Sequence, residues 1–209
     1  MKILGIDTTK KSAKIFVVDT KDEANNYFLE LNEGIKHSEG LFLYIEKALL
    51  DNHIQIEDVD GFACVTGPGS FTGIRVGMSV IKGFNKVLKR SIVSLNAFEI
   101  LLPCLKSGYI LLNSTVTSCY YAKVSKHQIV ETGVLNKSEI SDLAEKNEII
   151  VLKEEQDDIG VEYNNCKVIS NLTELYCSSV MNKLNLGEYG EFVPFYLQLS
   201  QAERNLSNE

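Results

Sequence analysis

The sequence predicts an α/β protein built from two lobes of similar construction. Residues 2–32 hold three strand-like stretches joined by short turns, a pattern typical of an antiparallel meander. Helical and strand-like stretches then alternate to about residue 105, and near residues 106–108 the same order of elements begins again. We therefore expect a first lobe over residues 1–105, a smaller and more divergent second lobe over 106–189, and a tail over 190–209 that packs back on the first lobe.

The elements of the first lobe follow from the spacing of its apolar residues. Alternation predicts strands, apolar residues that recur every three or four positions predict helices, and clusters of Asp, Thr and Gly mark the turns. Ser38 is expected to cap the first helix, because its hydroxyl can accept a hydrogen bond from an amide of the first turn. The predicted elements are Lys2–Ile6, Ser12–Val18, Asn26–Leu31, a helix over Ser38–Leu50, Gly61–Val65, a long helix over Thr72–Leu88, Ser91–Leu95 and a short helix over Ala97–Leu105.

The second lobe shows the same alternation without a sequence repeat of fixed period. Three strand-like stretches again come first, a helix and further strands follow, and Asp157–Cys166 is expected to be a polar loop. The predicted elements are Tyr109–Leu112, Tyr120–Val124, Glu131–Leu135, a helix over Ser138–Glu145, Glu148–Leu152, Val168–Ser170 and an amphipathic helix over Thr173–Leu184.

Composition and charge restrict the classes of function. The chain has 209 residues, of which 28 are acidic and 21 basic, and its formal net charge at pH 7 is -7. An acidic chain does not bind phosphate backbones through its bulk charge, which argues against autonomous nucleic-acid binding. Five cysteines without a CxxC spacing predict neither a disulfide framework nor a zinc knuckle. Because no apolar stretch of about 18 residues and no signal peptide is recognisable, we expect a cytoplasmic protein that does not associate with membranes.

The densest cluster of special residues is Gly67–Gly73, the glycine loop, which follows a predicted buried strand and opens the long helix. Backbone amides at such a place can hold an anion. However, Gly73 is not followed by the Lys of the GxxxxGK[ST] pattern, and the glycines follow GxGxxxG instead of GxGxxG. Pro68 excludes the GxSxG elbow of hydrolases around Ser70. We therefore expect a structural loop formed by Gly67, Pro68, Gly69, Ser70 and Gly73.

Each residue of this loop has an expected structural role. Gly69 and Gly73 are expected to take a positive φ or to admit a neighbouring backbone that a Cβ would obstruct. Pro68 should bias Gly67 toward extended geometry. Ser70 or the adjacent Thr72 should cap the long helix.

The turn after the first strand, Asp7-Thr8-Thr9 (the Asp7 turn), is the other candidate for chemistry. A carboxylate and two hydroxyls between opening strands can position a metal-bound water and phosphate oxygens, as at the start of actin-like ATPases. The alternative is an Asx or Ser/Thr turn that binds no ligand. Both interpretations remain open on the residues alone.

Metal-dependent chemistry finds little support in the sequence. A nuclease of the ribonuclease-H type needs several carboxylates around divalent metals; Asp7 and Glu39 could begin such a set, but the strand Gly61–Val65 leads to no further acid. The three histidines, His37, His53 and His127, lack the spacing of metal ligands. We therefore expect no metal site and no catalytic residue.

The helix over Ser38–Leu50 is apolar on more than one face. Its apolar residues include five in succession, Leu41, Phe42, Leu43, Tyr44 and Ile45. One stripe can pack on the sheet, while a second stays exposed unless a partner covers it or the helix lies wedged between two lobes. Glycines on the helix over Thr72–Leu88 would let another helix approach closely. These patterns leave a partner surface and an enclosed helix equally open.

The segment TGPGSFTGIRVG, residues 66–77, resembles the signature block of the bacterial TsaB family of tRNA threonylcarbamoyladenosine biosynthesis proteins, which are inactive glycoprotease-like homologues of TsaD. Three other segments also match the family pattern: Ile6-Asp7-Thr8-Thr9, His37-Ser38-Glu39 and Pro194-Phe195-Tyr196-Leu197. The match is strong over residues 1–100 and moderate in the tail. The middle departs, because Asn113–Tyr120 stands where the family has an Asp-Ala-Arg segment, and Gln198 stands where an Arg is frequent.

The resemblance implies a two-lobed actin-like fold of the ASKHA, ribonuclease-H-like class, in which each lobe is a mixed sheet with flanking helices. It also implies a non-catalytic subunit that pairs with TsaD, the paralogue that carries an HxxxH metal site. With the ATPase TsaE, this pair transfers a threonylcarbamoyl group to the adenosine beside the anticodon of ANN-reading tRNAs. ATP and metal then belong to TsaD and TsaE, this chain needs no cofactor, and it meets tRNA only indirectly.

The resemblance places the functional residues on the first lobe. A partner surface that would bind TsaD, or a second copy in a homodimer, is expected at His37, Ser38, Leu41, Phe42, Ile45, Arg75, Met78 and Ile81. The Asp7 turn, with Asp7, Thr8 and Thr9, would be a vestigial phosphate loop, since the second phosphate-facing loop has lost its acid and its Arg. The rival interpretation is an autonomous enzyme, either a small actin-like kinase or a peptidase-like protein.

Overall fold

A computed structural model describes residues 1–31, 37–160 and 165–198 of the chain, with backbone alone for residues 37–39. The strands, in chain order, are β1 (Lys2–Asp7), β2 (Lys14–Asp19), β3 (Tyr27–Glu30), β4 (Gly61–Val65), β5 (Ser91–Leu95), β6 (Gly108–Asn113), β7 (Ser118–Ser125), β8 (Gln128–Asn136), β9 (Ile149–Leu152) and β10 (Cys166–Ile169). The α-helices are α1 (His37–Asp51), α2 (Phe71–Leu88), α3 (Ala97–Leu101), α4 (Ile140–Lys146), α5 (Gln156–Ile159) and α6 (Thr173–Leu186). Over the described ranges, no helix has both the length and the apolar character that crossing a bilayer requires.

The strands and helices expected from the sequence are present, and three details differ. Ser38 lies inside α1 and is not its N-cap. The short helix α3 ends at Leu101 and continues as a 3-10 turn over Leu102–Cys104, because Pro103 lacks the amide that an α-helix needs there. The segment expected to be a loop from Asp157 contains most of the one-turn helix α5, and residues 161–164 of that segment lie outside the described part.

The chain forms two compact units, the first comprising Met1–Ala97 and Thr173–Pro194 and the second comprising Phe98–Leu172 and Phe195–Glu209. This division differs from the one expected from the sequence, which placed the last helix in the second lobe. The helix α6 belongs to the first unit because the ring of its Tyr176 stacks on Phe16 of β2. The described part of the tail is also divided, since residues 190–194 belong to the first unit and residues 195–198 to the second.

The sheet of the first unit has the order β3-β2-β1-β4-β5. The strands β1, β2 and β3 form the expected antiparallel meander, while β4 and β5 are parallel to β1. Leu4 in β1 lies opposite both Val17 of β2 and Phe62 of β4. Because β1 and β4 run in the same direction, the turns that follow them lie at the same edge of the sheet.

Helices cover both faces of this sheet. The helices α1 and α2 contact one face, where Ile15 and Val17 of β2 belong to the same buried cluster as residues of both helices. Phe16 lies between these two residues and therefore points to the opposite face, where the Tyr176 ring of α6 stacks on it. The first unit is thus a mixed sheet between two helical layers.

The second unit repeats the connectivity of the first. Its sheet has the order β10-β9-β6-β7-β8, with an antiparallel meander from β6 to β8 and with β9 and β10 parallel to β6. The helices α4 and α5 contribute Ile140, Ala144 and Ile159 to a buried cluster with Leu111 of β6 and Val151 of β9. The restart of the pattern that the sequence shows near residue 106 therefore corresponds to a repeated topology.

Candidate functional site

The Asp7 turn and the glycine loop form one joint at an edge of the first sheet. The strand β1 ends in Asp7, and its parallel neighbour β4 leads directly into the glycine loop. The Ser70 amide donates a hydrogen bond of 2.7 Å to the carbonyl oxygen of Thr9. In the other direction, the Thr8 hydroxyl donates a bond of 2.6 Å to the carbonyl oxygen of Gly73. Two turns that are about 60 residues apart in the chain are thereby held together by one backbone–backbone hydrogen bond and one bond from a side-chain hydroxyl.

Glycine is required in this loop because backbone atoms approach it closely. A Cβ on Gly73 would lie 1.9 Å from the Thr8 carbonyl oxygen, and one on Gly69 would lie 2.4 Å from the Thr9 carbonyl oxygen. The positive φ, 128°, occurs at Gly67 and at neither of these two glycines. Of the two roles expected for Gly69 and Gly73, close approach is therefore correct, and the extended geometry expected for Gly67 is wrong.

Ser70 has the capping role expected from the sequence. It is the N-cap of α2, and its hydroxyl oxygen accepts a bond of 3.1 Å from the Gly73 amide. The backbone amide of Ser70 donates its hydrogen bond to the carbonyl oxygen of Thr9. The hydroxyl of Ser70 therefore stabilises the helix start, and its amide stabilises the joint.

The polar groups of the Asp7 turn are satisfied from within the chain. Asp7 Oδ1 accepts hydrogen bonds from the amide and the hydroxyl of Thr9, at 2.8 and 2.7 Å. Asp7 Oδ2 accepts a hydrogen bond from the Tyr176 hydroxyl of α6. Only 2% of the surface of Asp7 is exposed, and Thr8 and Thr9 are buried as well. The turn is therefore an Asx turn in which both carboxylate oxygens already have donors.

Tyr176 is the residue of this joint that the sequence did not reveal. Sequence spacing assigns it only to the apolar face of a predicted helix, and Asp7 precedes it by 169 residues. The available signal is chemical, because a buried tyrosine hydroxyl usually needs a hydrogen-bond partner. That signal says that a partner exists without saying which residue it is.

A buried cation lies on the strand next to the joint. Lys14 at the start of β2 is almost fully buried, and its Nζ lies 3.4 Å from Oε1 of Glu30 on β3. The same Nζ donates hydrogen bonds to the carbonyl and the hydroxyl oxygen of Ser12. Because a buried charge needs a partner of opposite sign, Lys14 serves to hold β2 and β3 together.

The cysteines near the joint are not activated nucleophiles. Burial, and secondly the nearby Asp7 carboxylate, raise the pKa of the Cys64 thiol well above its usual range. Burial, followed by Glu23 and Glu174, raises the pKa of Cys177 to about 11. Both thiols therefore stay protonated at neutral pH. Within residues 1–31, 37–160 and 165–198, no group of three or more His, Cys, Asp and Glu side chains is arranged to hold a metal ion.

The segment of the second unit that departs from the family pattern is a hydroxyl-rich turn between β6 and β7. Thr115 Oγ1 lies 2.7 Å from Ser118 Oγ and accepts hydrogen bonds from the amides of Thr117 and Ser118. The amide of Asn113 donates to the buried Glu155 carboxylate, which sequence spacing did not single out. These contacts define a turn that is ordered by its own side chains.

A second feature of the first unit is a groove between α1 and α2, the α1–α2 groove. It encloses about 460 Å³. The guanidinium carbon of Arg75 lies 4.1 Å from the centre of the Phe71 ring, and Phe42 is 58% exposed beside it. Aromatic and Arg side chains are enriched at protein–protein interfaces relative to the rest of the surface. The residues that line the groove are Leu41, Phe42, Phe71, Thr72, Arg75, Val76, Ser79 and Val80.

Half of the predicted partner surface is wrong. Leu41, Ile45, Met78 and Ile81 are buried in the core of the first unit. They follow the helical spacing that places the core-facing stripe against the sheet; Leu41 also lines the groove, but none of its surface is exposed. Phe42 and Arg75 are exposed, as expected. The side chains of His37 and Ser38 lie outside the described residues.

Comparison with known proteins identifies the family. The model of the family TsaD, tRNA N6-adenosine threonylcarbamoyltransferase, matches residues 33–150, which is more than half of the chain. The chain belongs to this family. The matched residues include α1, α2 and the glycine loop, so they contain the groove and the glycine-loop half of the joint, while the Asp7 turn precedes them.

The proteins that are similar to this chain include TsaB proteins, in agreement with the resemblance noted for residues 66–77. The chain is 30% identical to the tRNA threonylcarbamoyladenosine biosynthesis protein TsaB of Buchnera aphidicola subsp. Schizaphis graminum, over 47% of this chain and 46% of that protein. It is 29% identical to TsaB of Escherichia coli, over 40% of this chain and 35% of that protein. It is 23% identical to the tRNA N6-adenosine threonylcarbamoyltransferase of Persephonella marina, over 47% of this chain and 33% of that protein. The chain thus spans less than half the length of these relatives.

Solved structures confirm the fold class of this chain. A Pseudomonas aeruginosa protein described as similar to peptidase YeaZ has a TM-score of 0.71 and 16% identity, over 94% of this chain and 99% of that one. YeaZ from Pseudomonas aeruginosa has a TM-score of 0.67 and 15% identity, over 93% of this chain and 100% of that one. The predicted actin-like fold with two mixed sheets is therefore confirmed.

The joint predicts opposite effects for the same substitution at two glycines of α2. Gly73→Ala should lower the free energy of unfolding by about 1–3 kcal/mol, because the new Cβ meets the Thr8 carbonyl and the backbone must move. Gly83→Ala is the matched control, since nothing lies within 4 Å of its added Cβ, and it should raise stability by about 0.5–1 kcal/mol through helix propensity. Urea denaturation measures both. Equal changes in the free energy of unfolding at the two positions would show that the close contact between Gly73 and the Thr8 carbonyl does not contribute to stability.

Proposed function

We propose that this chain is a TsaB-type, non-catalytic subunit that binds and supports TsaD in threonylcarbamoyl transfer to tRNA. The observation that carries the proposal is the α1–α2 groove, an exposed apolar surface within the segment that matches the TsaD family. The product would be the threonylcarbamoylated adenosine beside the anticodon of ANN-reading tRNAs. TsaE, an ATPase, would complete the system, and all of these proteins would act in the cytoplasm.

Sequence similarity to TsaD supports TsaD as the occupant of the groove. Because the family match includes both α1 and α2, TsaD is expected to carry a corresponding pair of helices. Two similar surfaces can pack against each other about a pseudo-twofold axis, as identical surfaces do in a symmetric dimer. The exposed Phe42 and the Arg75–Phe71 pair supply the aromatic and Arg contacts that are enriched at such interfaces. In the absence of TsaD, a second copy of this chain would use the same groove.

The absence of catalysis and of a cofactor in this chain is part of the proposal. Both Asp7 oxygens are used by Thr9 and Tyr176, and the Cys64 thiol is protonated. ATP and metal would be held by TsaD and TsaE. The net charge of -7 supports indirect contact with tRNA, made through the complex. The rival functions are an autonomous actin-like kinase and a peptidase-like enzyme. Neither Asp7 nor Cys64, within the described residues, is arranged as the reactive group that such an enzyme would need.

Replacing Phe42 should separate binding from folding. Phe42→Ala should weaken the affinity for the cognate TsaD by roughly tenfold to a hundredfold, because truncating an aromatic anchor at an interface costs about 1.5–3 kcal/mol. Its thermal stability should stay close to wild type, since the ring is largely exposed. Isothermal titration calorimetry with purified TsaD measures the dissociation constant.

Leu50→Ala is the matched control, because Leu50 is 62% exposed on the same helix and does not line the groove. Its affinity for TsaD should equal that of the wild type. If Phe42→Ala binds TsaD as tightly as the wild type does, the groove is not the docking surface. If both variants lose the same amount of affinity for TsaD, the interface extends along α1 beyond the groove.

The isolated chain should not bind Mg-ATP in the micromolar range. The physical reason is that Asp7 is buried and both of its oxygens have internal donors, so a magnesium ion and its waters would have to displace Tyr176 or Thr9. Calorimetric titration of the isolated chain with ATP and magnesium is the direct measurement. Micromolar binding that Asp7→Ala abolishes would contradict the proposal and favour the actin-like kinase.

A further inference from the structure

The contact between Asp7 and Tyr176 joins the start of the first unit to its last helix. The Tyr176 hydroxyl donates to Asp7 Oδ2, and its ring stacks on Phe16 with ring centres 4.6 Å apart and planes inclined by 22°. Phe28 lies on the same ring at 5.9 Å and 27°. Tyr176 is itself 2% exposed. A single phenol thus meets one carboxylate and two aromatic faces in a closed space.

The carboxylate needs a donor at this position. Asp7 Oδ1 already accepts hydrogen bonds from the amide and the hydroxyl of Thr9, whereas Oδ2 accepts one from the Tyr176 hydroxyl. Leaving a buried carboxylate oxygen without a donor lowers the stability of the fold, because the hydrogen bonds to water that it lost on folding are not replaced. The aromatic ring of Tyr176 is also needed at this position, because without it the apolar faces of Phe16 and Phe28 would border a cavity.

We propose that Tyr176 is an internal ligand: Asp7, Phe16 and Phe28 form a binding site for a phenol ring, and the helix α6 keeps this site filled. The site goes beyond the proposed subunit function, because it is a property of the first unit alone. It recognises a neutral aromatic ring with one hydroxyl donor. An outside ion or phosphate can reach Asp7 only when the phenol of Tyr176 leaves.

Emptying the site and refilling it with a small molecule tests this directly. Tyr176→Ala removes the ring while keeping a good helix former in α6. The variant should unfold at a lower temperature than the wild type, and millimolar phenol should raise its melting temperature, as small aromatic molecules fill engineered cavities. Toluene has nearly the same shape and lacks the hydroxyl, so it should bind more weakly by about tenfold or more, because the hydrogen bond to the Asp7 carboxyl group is lost.

Two controls fix the location of the phenol. Tyr176→Phe keeps the ring, so its melting temperature should not respond to phenol beyond the response of the wild type. In Asp7→Asn/Tyr176→Ala, the preference for phenol over toluene should fall. Equal stabilisation of Tyr176→Ala by phenol and toluene would overturn the assigned recognition by Asp7. Equal stabilisation of wild type and Tyr176→Ala by phenol, or no effect on either, would overturn the site itself.

A double-mutant cycle keeps the proposal testable if Tyr176→Ala does not fold. Tyr176→Phe and Asp7→Asn each change one partner of the hydrogen bond, and each should lower the melting temperature. Because the two groups act on each other, the loss in the double variant should be smaller than the sum of the two single losses. Additive losses would overturn the proposal.

Discussion

Two backbone turns meet at hydrogen-bond distance at the ends of β1 and β4, and much of the first unit depends on that contact. The Thr8 carbonyl lies so near Gly73 that no side chain fits between them, and the Ser70 amide is bound by Thr9. Because Ser70 also caps α2, the position at which this helix begins is determined by the Asp7 turn. The exposed residues near the start of α2, which line the α1–α2 groove, are consequently placed by a contact that lies inside the protein.

A polar turn of this composition can bind a ligand or stabilise the fold, and the hydrogen bonds around Asp7 are those of a turn that stabilises the fold. Its carboxylate is buried, and one carboxylate oxygen accepts hydrogen bonds from Thr9. The other oxygen accepts a hydrogen bond from Tyr176 on α6. The donors that a metal-bound water would supply are therefore provided by protein groups. The same residues that could handle phosphate in an actin-like ATPase here connect β1, the glycine loop and α6.

Local features of the sequence predicted the fold well, and long-range contacts explain where it failed. The strands, the long helix α2 and the Ser70 cap follow from alternation, helical spacing and side-chain chemistry within a few residues. Tyr176 could not be assigned, because its helix carries the same pattern whether it covers the first sheet or the second. Spacing indicates that α1 is apolar on two faces, but neither spacing nor the family resemblance shows which face packs on the sheet. The expected partner surface therefore includes Leu41 and Ile45, which belong to the core.

Amide hydrogen exchange tests most directly whether the joint is a fixed part of the fold. Thr9 and Ala24 are matched, because each donates its amide to an aspartate two residues earlier; the Asp7 turn is buried, and the Asp22 turn is exposed. The amides of Thr9 and Ser70 should exchange as slowly as that of Ile6 in the core of β1, through global unfolding. The Ala24 amide should exchange much faster. Exchange of Thr9 and Ser70 at the rate of Ala24 would contradict the account, since the two turns would then separate while the rest of the unit stays folded.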